Sequence, residues 1–419
     1  MKKNNSSQVV NFGCRLNSYE SEIMKTLIYN NNIEDTFVFN TCGVTKEAER
    51  QAQQAIRKYK KNYPNKKIIV TGCASQIDPS KFKSMKEVDC IIGNNEKVIN
   101  STWKNLENQK NSKLPNIMEV TTTNTNIIEK FDGKARAYVE IQQGCDHRCT
   151  FCAIPFGRGN NRSVPIGLIA KRINKLVENG YNEVVLTGVD ITDYGKDLPG
   201  KPRLSQMIKR ILNNEPNLNQ LRLSSIDCAE VDNDFWEIFK YEDRLMPHLH
   251  ISLQAGDDMI LKRMKRRHSR KQAIEFCEKA KSIRPDVVFG ADLIAGFPTE
   301  TDSMFNKTCS LITECNLTYL HVFPYSQRES TPASKMPQVP TETKKNRASH
   351  LRKIGQEKLI EYLSSSIGKE KTFLVEKNNG DFSIGKTKEF CPIKIRTKLE
   401  IGKLFNSKII SYDNNMLVA

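Results

Sequence analysis

No run in the 419-residue sequence approaches the ~18 consecutive apolar residues that a membrane-spanning helix needs. The opening MKKNNSSQVVNFG lacks the long apolar stretch and small-residue cleavage site of a secretory signal. Low-complexity tracts are also missing, and strand-helix units are the only recurring pattern. Acidic residues are in deficit, with 48 Asp and Glu against 65 Lys and Arg, a net charge of +17. That surplus points to a polyanionic partner, nucleic acid first. Part of it reflects Lys and Asn spread over positions with no other distinguishing feature. A composition of 38% apolar and 27% charged residues excludes a disordered chain. The length exceeds the ~250–300 residues at which single cores stop growing, so two or three domains are expected.

On these absences a cytoplasmic protein is expected, where thiols stay reduced, and so the twelve cysteines are read as candidates for metal binding or chemistry rather than disulfides. Three times near the N-terminus an apolar strand pattern runs into a cysteine: QVVNFGC at Cys14, TFVFNTC at Cys42 and KKIIVTGC at Cys73. Helix patterns separate the first two intervals, one placing Ile23, Met24, Leu27 and Ile28 on a single face. Alternating strands and helices imply a parallel sheet whose strand C-termini share one edge. The three cysteines are therefore expected to converge. The plainer alternative for each alone is a small buried apolar residue.

From about Asn100 to Gly133 the pattern loses periodicity, as an interdomain connection does. A second series follows, with candidate strands AYVEIQQ, EVVLTGVD, LRLSSID, HLHISLQ, VVFGADLIAG and TYLHVFPYS. Six units without the eight of a closed barrel predict a partial (βα)6 barrel with its chemistry at the strand C-termini. After Pro340 a basic helical stretch leads to KTFLVEKNN, IKIRT and SKIISYD, read as strands of a small all-β module. The fold class is α/β, with an open parallel N-terminal sheet, a central partial barrel and a C-terminal β-module. The predicted divisions are 5–115, a linker at 116–130, 131–360 and 365–419.

GCDHRCTFC carries Cys145, Cys149 and Cys152 as CxxxCxxC after the first strand of the barrel series. Three thiolates ligate three irons of a 4Fe-4S cluster and leave the fourth iron open, where the amino and carboxylate groups of S-adenosylmethionine can chelate. Structural zinc is the alternative. It wants four ligands, and the CxxC pair has no equivalent partner pair nearby. Candidates to hold the sulfonium cofactor at strand ends are Asp190, Ser224, Ser225, Gln254 and Asp292; the alternative for each is a strand-end cap or a supporting hydrogen bond. Gly296 and Pro298 shape a turn. The run KRMKRRHSRK, residues 262–271, is read either as a phosphate contact or as a solvated helix face. Arg158 and Arg162 are read as phosphate contacts or as partners of buried carboxylates. Cys277, Cys309 and Cys315 read as core residues, and Cys90, Cys228 and Cys391 also lack ligand context.

Together GCRLNSYESE, FNTCGVT, TGCASQ, GCDHRCTFCAIPFGRGNNRS, HLHISLQAGDDMILKRMKR, GADLIAGFPTE and FPYSQRESTPASKM resemble the radical S-adenosylmethionine methylthiotransferases, in order and over nearly the whole chain. Among these the sequence is most similar to the branch that modifies threonylcarbamoyladenosine beside the tRNA anticodon. The resemblance implies a second 4Fe-4S cluster on Cys14, Cys42 and Cys73, S-adenosyl-L-methionine as cofactor, the tRNA anticodon stem-loop as partner, and a flavodoxin- or ferredoxin-type reductant protein. It also implies that the C-terminal module is an RNA-binding TRAM domain. Phe156 departs from the family pattern, in which Tyr often follows the proline. The reaction implied is methylthiolation of adenine carbon-2, whose hydrogen is not acidic enough for a side-chain base and calls for a radical. The base must then be extruded from its stack. Methylthiolation of isopentenyladenosine or of a ribosomal-protein aspartate, and a non-catalytic metal-stabilised RNA-binding protein, are the competing readings.

Overall fold

The computed structural model describes residues 7–106 and 113–419. Strands β1 (Gln8–Asn11), β2 (Thr36–Thr41), β3 (Lys67–Gly72) and β4 (Cys90–Ile91) form a parallel sheet in that order. Helices α1 (Arg15–Asn30), α2 (Lys46–Asn62), α3 (Cys73–Ile77), α4 (Pro79–Lys83) and α5 (Asn100–Lys104) surround it. Every residue of β2 is buried, as a central parallel strand covered on both faces must be. On one face Phe37, Phe39, Ile56, Ile68 and Val70 form a local core. The apolar face of α1, with Tyr19, Ile23, Met24 and Leu27, instead joins the largest hydrophobic cluster of the molecule, which runs on into the next sheet.

That second sheet begins with β5 (Ala137–Glu140), and β6 (Gln142–Gln143) and β7 (Arg162–Ser163) form a small antiparallel ladder around helix α6 (Ile154–Arg158). The series continues with α7 (Ile166–Glu178), β8 (Glu183–Thr187), α8 (Leu204–Asn214), β9 (Gln220–Leu223), β10 (Ser225–Ile226), α9 (Asn233–Tyr241) and β11 (His248–Gln254). It ends with α10 (Asp258–Met264), α11 (Arg270–Ile283), β12 (Val288–Ala295), α12 (Asp302–Glu314) and β13 (Leu317–Pro324). Ladders β5-β8-β9 and β10-β11-β12-β13 are parallel throughout. With β10 following β9 after one residue, six strand positions curve without closing: no β5–β13 pairing occurs among the described residues. All six expected strands are present.

Residues 113–133 pack against this body rather than spanning free space. Ile117, Ile128 and Phe131 are buried. Arg172 donates to the carbonyls of Asn124 and Asn126.

Helix α13 (Thr341–Ser366) leads to a six-stranded module of β14 (Glu370–Asn379), β15 (Phe382–Thr387), β16 (Pro392–Ile395), β17 (Leu404–Lys408), β18 (Ser411–Asp413) and β19 (Met416–Val418), in sheet order β17-β14-β15-β16-β19-β18. Strands β15 and β19 are not among those expected from sequence. Gly385 lowers the strand propensity of β15, and tertiary packing requires it there: a Cβ at Gly385 would lie 2.1 Å from the Leu374 carbonyl oxygen of β14. Gly385→Ala is expected to destabilise the module by about 1–3 kcal/mol, the usual cost of overpacking. A lowered first transition in thermal unfolding, with iron content unchanged after reconstitution, checks this.

Candidate functional site

Parallel β1, β2 and β3 deliver their C-terminal ends to one edge, and the sequence places a cysteine just past each. Cys14 is the N-cap of α1 in extended conformation, Cys42 follows β2 directly, and Cys73 opens α3. Gly72 makes the last turn possible. Its φ is +102°, and a Cβ there would meet the Thr41 backbone at 2.4 Å. Cys14, Cys42 and Cys73 all line one cavity of about 400 Å³, whose opposite wall comes from the partial barrel.

The CxxxCxxC loop runs between β6 and α6. It is pinned by Cys145 N–H to the Gly159 carbonyl, Cys152 N–H to the Cys149 carbonyl and Thr150 N–H to the Met264 carbonyl, each at 3.1 Å. Cys152 lines the cavity together with Phe151. Burial pushes the Cys42, Cys145 and Cys152 thiols up to about 12. Three thiols so placed become thiolates only when a cation compensates them, and this donor set fits an iron-sulfur cluster on each side. Guanidinium groups stand beside both sets, as a polyanionic cluster demands: Arg158 Nε donates to Cys73 Sγ at 3.1 Å, and Arg266 Nη1 to Cys149 Sγ at 3.4 Å.

Arg158 joins the two walls. Fully buried, it also donates to both carboxylate oxygens of Glu20 at 2.8 and 3.0 Å, to Gln143 Oε1 and to Asn17 Oδ1. Lys97, likewise buried, closes the cluster with Glu20 at 2.7 Å. Burial alone raises the Glu20 carboxyl, yet Arg158 and Lys97 hold it at about 2. Of the two roles open to Arg158 in the sequence, the structure shows pairing with a carboxylate. Arg162 turns inward too, onto the carbonyls of Arg158 and Asn160.

Of the five candidates for the sulfonium cofactor, Ser225, Gln254 and Asp292 line the cavity; Asp190 and Ser224 do not. Asp190 stands beside Cys145 and Arg267, accepting from Thr192 Oγ1 at 2.8 Å. Burial and then the neighbouring Glu230 raise it to about 6. Ser224 is buried, its hydroxyl unpartnered among the described residues. Asp292 accepts from His250 Nε2 at 2.9 Å and from His321 Nδ1 at 3.2 Å. Burial opposes its ionisation, but the two imidazoles hold it well below the usual carboxylate range.

Sequence reasoning missed the aromatic wall of Phe151, Phe323 and Tyr325. Phe323 and Tyr325 stand at the C-terminal end of β13, the end where a barrel of this kind carries its chemistry, and that position was the signal available. The basic run is largely inward. Arg263 is bonded to Thr299, Arg266 to Asp227, Arg267 to Glu230, and Arg270 to Ser310 and backbone carbonyls. Lys262 and Lys265 are exposed. Phe156 is also exposed, at 44%, so the missing hydroxyl costs no buried hydrogen bond.

Replacing Arg158 by Met leaves Glu20 and Lys97 short of a partner in a dry interface, and a loss of about 3–5 kcal/mol is expected, read by denaturant unfolding. In the unsubstituted protein the depressed Glu20 pKa stabilises the fold above about 4.5, and this contribution is lost as pH falls toward about 2. An acid-unfolding midpoint that moves upward in Arg158→Met checks the sign.

Residues 139–312 match the Radical SAM superfamily profile, and residues 7–93 match the Uncharacterized protein family UPF0004. The threonylcarbamoyladenosine tRNA methylthiotransferase MtaB of Rickettsia prowazekii is 51% identical over 417 residues, covering 100% of this chain and 98% of the relative. That of Thermotoga maritima is 35% identical, over 88% of this chain and 86% of the relative. A tRNA-2-methylthio-N(6)-dimethylallyladenosine synthase of Finegoldia magna is 28% identical, over 97% and 92%. Among solved structures, the radical S-adenosylmethionine methyltransferase TsrM of Kitasatospora setae, with cobalamin and a [4Fe-4S] cluster bound, superposes with a TM-score of 0.59 at 11% identity, covering 78% of this chain and 76% of its own. That likeness is one of fold. With cysteines of both triads facing one cavity and half of all residues shared with a full-length relative, the chain belongs to the threonylcarbamoyladenosine tRNA methylthiotransferase family of radical S-adenosylmethionine enzymes.

Proposed function

We propose that this protein converts N6-threonylcarbamoyladenosine to its 2-methylthio derivative at position 37 of tRNA, beside the anticodon, using two 4Fe-4S clusters and S-adenosyl-L-methionine. One observation carries the reading: Cys14, Cys42, Cys73 and Cys152, from two separate sheets, open onto the same 400 Å³ cavity. Cys145, Cys149 and Cys152 hold one cluster and Cys14, Cys42 and Cys73 the other. When bound, these cofactors supply one-electron cleavage of S-adenosylmethionine on the barrel side and a methylated sulfur on the other.

The chain's own part is to bind, orient and exclude water. Ser225 and Gln254 offer hydrogen-bonding groups to the cofactor's ribose and carboxylate, and Asp292, kept anionic by His250 and His321, suits its ammonium group. Asp190 supports the cluster loop from outside the cavity, and Ser224 is buried at the strand end. Phe151, Phe323 and Tyr325 give an apolar, stacking surface for an extruded base. Divisions at 5–115, 116–130, 131–360 and 365–419 assign the sulfur-carrying cluster, a connector, the radical core and an RNA-binding TRAM-like module. A flavodoxin- or ferredoxin-type reductant and a cytoplasmic location complete the proposal. No described helix is long and apolar enough to cross a membrane.

The test is anaerobic reconstitution with iron and sulfide, then assay on tRNA bearing threonylcarbamoyladenosine. About eight irons per chain, with 5′-deoxyadenosine and methylthiolated nucleoside both formed, is the expected result. Cys73→Ala should retain about four irons and deoxyadenosine formation while losing methylthiolation. Cys149→Ala should lose both products. Deoxyadenosine without methylthiolated nucleoside in the unsubstituted protein would sink the reading.

A further inference from the structure

Four cations from three parts of the chain surround one aromatic ring. Phe390, in the turn between β15 and β16, has Lys386 Nζ at 3.6 Å from its centroid and the guanidinium carbons of Arg222, Arg136 and Arg15 at 4.9, 5.3 and 5.4 Å. Among the described residues two carboxylates face this group. Glu183 pairs with Arg222 Nε at 2.8 Å and Arg136 Nε at 3.0 Å, and Glu376 pairs with Arg136 Nη1. Arg15 and Lys386 have no hydrogen-bond or ion-pair partner among the described residues. Arg136 is nine-tenths buried, and its Nη2, also buried, has no hydrogen-bond partner among the described residues. The cations thus outnumber the carboxylates by two, in a place where Arg15 and Lys386 are themselves half-buried. Crowding unpaired cations out of water is costly unless an anion joins them. The cost shows at Lys386, whose ammonium is brought down to about 8, by burial first, with Arg136, Arg15 and Arg222 adding to it against Glu376.

The group lies next to the cavity. Arg15 directly follows Cys14, a cavity-lining residue. On β11, His248 stacks on Phe390 at 5.1 Å, and His250, two residues on along the same face, bonds Asp292 at the cavity wall. None of the four cations lines the cavity itself; Arg15, next in the chain to Cys14, and His250, two residues along from His248, connect it to them, and the far edge of a base whose carbon-2 faces the cysteine triads would extend toward this group. Resting on the function proposed above, we propose that Arg15 and Lys386, backed by the buried guanidinium of Arg136, form an anion site that receives the carboxylate of the threonylcarbamoyl group and so selects the modified adenosine. The same cations would equally suit a backbone phosphate, the other anion the tRNA brings, and the two sources separate by experiment. Arg15 and Lys386 act here as specificity residues.

The experiment measures binding of fluorescent anticodon stem-loops carrying either threonylcarbamoyladenosine or adenosine at position 37 to the iron-sulfide-reconstituted protein. The unsubstituted protein should prefer the modified loop by roughly ten- to a hundredfold, the scale of one or two charge-assisted hydrogen bonds. Arg15→Gln and Lys386→Gln should each reduce that preference about tenfold while leaving affinity for the adenosine loop unchanged, and Arg15→Lys should keep most of it. Melting temperature and iron content are read alongside. Equal weakening toward both loops with a shallower salt dependence identifies a phosphate contact and overturns the carboxylate assignment. A retained preference with a lowered melting temperature marks the cations as a structural staple and overturns it too. If the unsubstituted protein methylthiolates the modified tRNA but shows no binding preference, the anion site alone fails. If it leaves that tRNA unmodified, the proposed function fails and takes the anion site with it.

Discussion

One buried guanidinium holds the two halves of the site in register. Arg158 leaves α6 just beyond the CxxxCxxC loop and reaches Cys73, Glu20 and Asn17 of the N-terminal unit. Lys97 approaches the same carboxylate from a third segment. Buried ion pairs add little net stability compared with apolar packing, because desolvation offsets the attraction. Their geometry, however, tolerates no slack. Each donor of Arg158 meets an acceptor between 2.5 and 3.1 Å, so the two cysteine triads cannot slide apart without stranding a charge. A chemistry that passes a group from one cluster to a base beside the other depends on that fixed separation.

The positive charge of the chain is distributed unevenly around this frame. Arg263, Arg266, Arg267 and Arg270, the centre of the densest basic run, brace the barrel mouth from within and pair with carboxylates, hydroxyls and carbonyls. Lys262 and Lys265 remain outside. A charge count predicts attraction to RNA in general, whereas contact with it depends on which cations stay unpaired.

The C-terminal module is coupled to the barrel rather than tethered beside it. Arg222 of β9 donates to the Lys388 carbonyl at 2.9 Å, Arg136 pairs with Glu376, and Phe390 stacks on His248. Arg15 meets the same ring from the N-terminal unit. Three segments far apart in sequence share one contact, so a nucleotide engaging it would be sensed by all three.

The period of the sequence was enough to read the parallel N-terminal sheet, the six barrel strands and the convergence of Cys14, Cys42 and Cys73, because strand-helix alternation forces strand C-termini to a common edge. CxxxCxxC likewise declared its chemistry by local spacing. Strand β15 was not legible, since Gly385 reads as a breaker until the close approach of Leu374 explains it. Neither was the division among the strand-end polar residues. Asp190 and Asp292 look alike in sequence, but one faces Cys145 and Arg267 and the other the cavity. The partners of Arg158, and the lack of partners at Arg15 and Lys386 among the described residues, belonged to tertiary structure alone. Local pattern determines which way a strand or helix face points; which charge meets which is decided only when segments more than a hundred residues apart are packed into the same dry space.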